Sequence, residues 1–122
     1  MTVVTVTWNS LPYLKVLIEA VRKFSDPTVE LLVIDNHSTD GTKEFLESQS
    51  DVRSVTLPMN IGHGLGLDIA MIQAKTEHVV ILDVDAFPIT DTWLDSVIGP
   101  LSSGATVAGA HFHRSFIHPC FL

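Results

Sequence analysis

Asp83 and Asp85 flank a single valine at the end of the apolar run Val79-Val80-Ile81-Leu82. Three of those four residues are β-branched, and the run reads as a buried strand. On an extended backbone, side chains two residues apart point to the same side. The two carboxylates are therefore expected to share one face at a strand's carboxyl end. Like charges repel there, and burying them unaided costs several kcal/mol. A divalent cation resolves the conflict. Carboxylate oxygens suit hard ions such as Mg²⁺ or Mn²⁺, and two of them leave coordination positions open for phosphate oxygens. A plainer reading stands beside this one: Asp-x-Asp is a short pattern, and with Pro88 close behind, the pair can simply open a solvated loop.

The elements that must carry these residues follow from the rest of the chain. Val3 to Thr7 is β-branched throughout and predicts a strand. Asn9-Ser10 can cap a helix that tolerates Pro12 near its start. Its inner face is Leu11, Leu14, Ile18, Val21 and Phe24, with Leu17 beside them, and Asp26-Pro27 ends it. Val29 to Ile34 predicts a second strand, Asp35 to Gly41 a polar turn, and Thr42 to Ser50 a short helix with Phe45 and Leu46 inward. Val52 to Leu57 predicts a third strand. Asn60 to Gly66 is glycine-rich, and a helix is expected from about Leu67 to Ala74. After the Val79 strand, Thr92 and Asp95 suggest a capped helix ending near Gly99-Pro100. Val107 to Ala110 and Phe116 to Leu122 can each form strands. This alternation predicts a three-layer αβα domain with a mostly parallel sheet. Right-handed crossovers then bring the strand carboxyl ends to one edge, where ligands of such sheets bind. The loops starting at Trp8, Asp35, Asn60 and Asp83 are expected to converge there.

Bulk properties narrow the class. At 122 residues the chain is expected to be a single domain with a real core. Its 46% hydrophobic content against 17% charged residues fits a globular protein rather than a disordered one. The net charge of −7 argues against a nucleic-acid binder and means that an anionic ligand needs local compensation. With Cys120 alone, no intrachain disulfide is possible. The start of the chain lacks a signal-peptide pattern and no run has the length of a membrane span. A cytoplasmic protein is expected, with attachment to a membrane surface left open.

Taken as an ordered set, the loops are more specific. They read Thr7-Trp8-Asn9, then Asp35-Asn36-His37-Ser38-Thr39-Asp40-Gly41-Thr42, then Asn60-Ile61-Gly62-His63-Gly64, then Asp83-Val84-Asp85. This order and spacing resemble the nucleotide-sugar-binding half of glycosyltransferase family 2, the inverting GT-A enzymes, over about Val3 to Leu101; details resemble the rhamnosyltransferase-type branch. The resemblance implies a donor site for a UDP- or dTDP-sugar with Mg²⁺ or Mn²⁺, assembled from Thr7, Trp8, Asn9, Asp35, Asn60, Gly62 and Asp83. Trp8 would stand where a tyrosine usually lines the base pocket, its indole supplying the stacking surface. Asp35 would accept a hydrogen bond from N3–H of uracil or thymine. Asn60 and Gly62 would bring backbone close to the nucleotide. Asp83 would face the ribose or the metal's water shell. Asp85 would be the direct metal ligand, with the metal bridging both phosphates and offsetting charge on the leaving group. Each also has a structural reading: a half-buried aromatic, a turn-forming aspartate, a plain glycine turn before a helix.

An inverting transfer also needs a general base. By the resemblance, that Asp or Glu lies in the acceptor-binding half, and no Asp or Glu follows Asp95 here. The expectation is thus residues 1–122 as one donor-binding domain, its acceptor half largely absent, with no catalytic base identified. Three other readings remain. A truncated, non-catalytic nucleotide-binding or assembly module would dimerise through an apolar C-terminal strand edge. A dinucleotide-binding domain is disfavoured, because the first strand lacks a following Gly-x-Gly-x-x-Gly. His111, His113 and His118 offer a zinc reading, or one of them joins the Asp85 metal; His37 and His63 stand in the proposed ligand loops.

Overall fold

All six residues of Thr2–Thr7 (β1) are buried, as in a strand covered on both faces. The structure, a computed structural model, describes residues 1–108. Strand β1 pairs in parallel with Glu30–Asp35 (β2) on one side and with Val79–Ile81 (β4) on the other. Val52–Thr56 (β3) pairs in parallel with β2, giving the order β3-β2-β1-β4. The chain steps outward from β1 to β3, then crosses back to β4. Right-handed crossovers running in opposite directions put their helices on opposite faces. Leu11–Phe24 (α1) and Thr42–Glu47 (α2) therefore lie on one face and His63–Gln73 (α3) on the other. This is the expected three-layer α/β arrangement.

Each face has its own core. Val4, Val6, Leu32, Ile34, Leu57 and Ala70 form one buried cluster on the α3 side. On the other face Val3, Leu31 and Val33 are buried, and α1 contributes buried Leu14, Leu17, Ile18 and Val21. Leu11 and Phe24 are only half-buried at the helix ends.

Several element limits differ from the sequence expectation, for local reasons. Helix α3 starts at His63, four residues earlier than expected, and takes in two glycines. Gly66 belongs there because α3 lies against β1: a Cβ at that position would stand 2.8 Å from Val6 Cγ1. Gly62, with φ of +88°, makes the turn into the helix, and Gly66 N donates to its carbonyl. Helix α2 stops at Glu47 instead of Ser50, where the Ser48 hydroxyl takes the carbonyl of Phe45 at 2.6 Å. Leu46 is buried, whereas Phe45 is half-buried with Lys15 Nζ 5.2 Å over its ring. Strand β2 includes Asp35 as its last residue, in register with Thr7.

The amino-terminal edge of the sheet is tied separately. Thr2 Oγ1 donates to Glu30 at 2.8 Å, Arg53 pairs with Glu30 at 3.0 Å, and Arg53 also donates to the Gln73 carbonyl.

Met1–Asp91 is one compact unit and Thr92–Leu122 a second. The second holds Trp93–Ser102 (α4). The Thr92 side chain does not cap it, contrary to expectation, because Thr92 (φ −94°, ψ 4°) lacks the extended geometry that aims a capping oxygen back at the helix. The helix runs past Gly99, with Pro100 in its last turn and the Ser103 hydroxyl and amide on the Pro100 carbonyl. The strand expected at Val107–Ala110 extends beyond the described residues. The strand at Phe116–Leu122, the proposed dimerisation edge, and His111, His113 and His118 lie wholly outside them.

Candidate functional site

The carboxyl ends of β1, β2 and β3, and the chain leaving β4, reach one edge, where the loops are sewn together in sequence. The β1–α1 and β2–α2 loops share four bonds, one of them a longer one from Thr39 Oγ1 to Asn9 Oδ1 at 3.4 Å. Asn9 N donates to Ser38 Oγ at 2.9 Å, Thr39 N donates to Asn9 Oδ1 at 2.7 Å, and Leu11 N donates to Asp40 Oδ2 at 3.0 Å. Asn36 joins the second loop to the third: its amide donates to the Thr7 carbonyl and its Oδ1 accepts from Ile61 N at 2.9 Å. His37 Nδ1 lies 3.3 Å from the Leu57 carbonyl. The third loop meets the fourth through His63 Nε2, 3.6 Å from Asp83 Oδ1. Asn9 and His37 both carry positive φ, 47° and 66°, so both loops turn sharply straight after their strands.

On this edge Trp8 presents its ring to solvent, 53% exposed, beside the Asn9 turn. Asn60 is exposed and its Oδ1 accepts from Gly62 N at 2.9 Å, so the pair makes the tight entry to α3. Thr7 is buried, its hydroxyl without a hydrogen-bond partner.

Asp83 and Asp85 are exposed, but not on an extended strand. Strand β4 ends at Ile81; Leu82 N still donates to Val4 O, and the chain then turns, with Ala86 N on the Asp83 carbonyl at 2.9 Å. The same-face argument from strand alternation therefore does not apply, and the two aspartates stand in a turn instead. Among the described residues no cluster of three or more His, Cys, Asp or Glu side chains could hold a metal. Two exposed carboxylates suit a hard ion that completes its shell with water and phosphate oxygens; among the described residues no four-ligand protein cage of the zinc type is built.

Asp35 is the most enclosed of the expected site residues. Its side chain is fully buried, with Oδ1 accepting from Ser38 N at 3.0 Å and Oδ2 enclosed without a partner. No part of it is open to a base in this arrangement. The reason is register: as the last residue of β2, Asp35 lies beside Thr7 under the two stitched loops, where it shapes the turn. Sequence reasoning also missed Asp40, Asn36 and Ser38 as the residues that join the loops. An aspartate two residues before a helix was a visible signal for the α2 start, but nothing local in the sequence links it to Leu11.

Comparison with known proteins agrees with this geometry. The mannosyltransferase PcManGT of Pyrobaculum calidifontis, solved with GDP-Man and Mn²⁺, superposes with a TM-score of 0.67 at 25% identity, over 80% of this chain and 30% of that one. Glucosyl-3-phosphoglycerate synthase of Mycobacterium tuberculosis, solved with Mn²⁺, UDP and glucosyl-3-phosphoglycerate, gives 0.68 at 26% identity, over 84% of this chain and 39% of that one. A Bacillus subtilis (strain 168) protein assigned as the teichuronic acid biosynthesis glycosyltransferase TuaG is 28% identical over 88 residues, 69% of this chain and 35% of that protein. The chain thus spans about a third of the length of that relative. No helix among the described residues is long and apolar enough to cross a membrane. With the parallel sheet and its stitched carboxyl edge in place, the match of residues 2–119 to the family profile is decisive: the chain belongs to glycosyl transferase family 2.

Proposed function

We propose that this chain is the donor-binding part of an inverting glycosyltransferase, taking a UDP- or dTDP-sugar with Mg²⁺ or Mn²⁺. The observation that carries the reading is the joining of four strand-end loops into one edge that exposes an aromatic ring and a pair of carboxylates. Trp8 offers its face to the base. Asp85 and Asp83 hold the metal, which when bound supplies positive charge against the diphosphate. Asn60 and Gly62 shape the turn along which the phosphates pass, and Thr7 and Asn9 fix the backbone on either side of Trp8. Asp35 holds the second loop from beneath and meets a base only if the Ser38 turn opens.

The mycobacterial neighbour supports a uridine donor, and the Pyrobaculum neighbour makes guanosine the competing outcome. The activity proposed for these residues is donor binding. The localisation proposed is cytoplasmic or on a membrane surface. Calorimetric titration with UDP, dTDP, GDP and NAD, each with and without Mn²⁺, tests the proposal. Mn²⁺-dependent pyrimidine diphosphate binding is expected. Preference for GDP would replace the base assignment, and no binding of any diphosphate would refute the site.

A further inference from the structure

Helix α1 begins without a cap of its own. Ser10, the residue at its N-cap, turns its hydroxyl to the Trp8 carbonyl at 2.9 Å and makes no side-chain cap bond to the helix. The acceptor comes from 29 residues further on, where Asp40 Oδ2 takes Leu11 N at 3.0 Å. The other oxygen of the same carboxylate takes Thr42 N at 3.2 Å and Thr42 Oγ1 at 2.6 Å. One carboxylate therefore caps two helices belonging to two different crossovers, each of which must otherwise leave amides unmet. Beside it, Asn9 is held in a left-handed conformation by Ser38 and Thr39. These bonds hold the three residues that follow Trp8, with Asp40 anchoring the far end of that short segment at Leu11.

We propose that Asp40, acting through the start of α1 and the Asn9 turn, is a positioning residue that sets the direction of the Trp8 face. This rests on the donor-site reading above. A carboxylate fits the task because it is acceptor-only and can serve both helix starts at once. An asparagine keeps one oxygen and turns an amide donor toward the other helix start, so it can serve only one.

The test compares the full chain with Asp40→Ala, Asp40→Asn and Arg53→Ala. The last removes ties to Glu30 and Gln73 at the opposite edge and controls for lost stability alone. UDP affinity in the presence of Mn²⁺ and amide hydrogen exchange are measured for each. Asp40→Ala is expected to weaken UDP binding tenfold or more and to speed exchange at Leu11 and Thr42. Asp40→Asn should fall between it and the parent, and Arg53→Ala should stay within twofold of the parent. The proposal is overturned if Asp40→Ala binds as tightly as the parent, or if Asp40→Ala and Arg53→Ala weaken binding alike at equal loss of stability. Should the parent itself bind no nucleotide with Mn²⁺, the donor-site reading falls first and this inference with it, which separates the two failures.

Discussion

Replacing Gly66 by alanine would press a methyl group into Val6. The added Cβ would lie 2.8 Å from Val6 Cγ1 and 3.3 Å from Cγ2, and Val6 is 5% exposed in the middle strand. A branched side chain on a buried strand has little room to rotate away. Overpacking of this kind costs about 1–3 kcal/mol, and so close a contact belongs at the upper end. The better helix propensity of alanine returns about 1 kcal/mol, leaving a net loss of about 2 kcal/mol. With a urea slope of about 2 kcal/mol/M, the unfolding midpoint should fall by about 1 M. Gly64 supplies the control within the same helix. Its Cβ would meet nothing within 4 Å, so Gly64→Ala is expected to leave the midpoint unchanged or raise it. Denaturation of the two variants side by side is the assay. Equal midpoints would refute the claim that α3 is fixed against β1 by the missing side chain, and with it the account of how His63 and the Asn60–Gly62 turn are held at the sheet edge.

Asp85→Ala should abolish the Mn²⁺ dependence of nucleotide binding in calorimetry; unchanged metal-dependent affinity would remove Asp85 from the site. Asp35→Asn keeps the acceptor for Ser38 N, so UDP affinity should stay within about threefold; a loss beyond tenfold at equal stability would restore direct contact with the base. Acid should loosen the loops. The guanidinium of Arg22 holds Asp51 below its ordinary value, and the Thr28 hydroxyl and amide do the same for Asp26. For Asp40, partial desolvation pushes upward, but bonds from the Thr42 hydroxyl and from the Leu11 and Thr42 amides together outweigh it and hold its carboxyl below the ordinary value. A depressed folded-state pKa stabilises above the unfolded value and is lost as pH falls through the folded one. The unfolding free energy should therefore decline as pH drops below about 4; a flat profile down to pH 2 would contradict these assignments.

The sheet was legible because its strands are short β-branched runs separated by helices with one apolar face, and β1 and β4 read almost as they stand. What escaped was set by contacts distant in sequence. The cap of α1 comes from Asp40 rather than from adjacent Asn9-Ser10, since a side-chain oxygen 29 residues away closes the loop. Gly64 and Gly66 look like loop residues, yet α3 absorbs them because the helix lies so close to Val6. The site was legible as a set of four loops and less so residue by residue. Trp8 and the two aspartates are exposed at the shared edge. Asp35 is enclosed, because a one-residue extension of β2 carries it under the loops rather than into them.

Paramagnetic broadening reaches the central claim most directly. Mn²⁺ added with UDP to the isotopically labelled chain should broaden the amides of Asp83 to Ala86 first, then those of His63, Gly62 and the Trp8–Asn9 turn. Residues at the opposite edge, Glu30, Asp51 and Glu77, should keep sharp signals. Broadening centred on that opposite edge, or none beyond that of free Mn²⁺, would contradict a single metal and nucleotide site at the carboxyl ends of the strands.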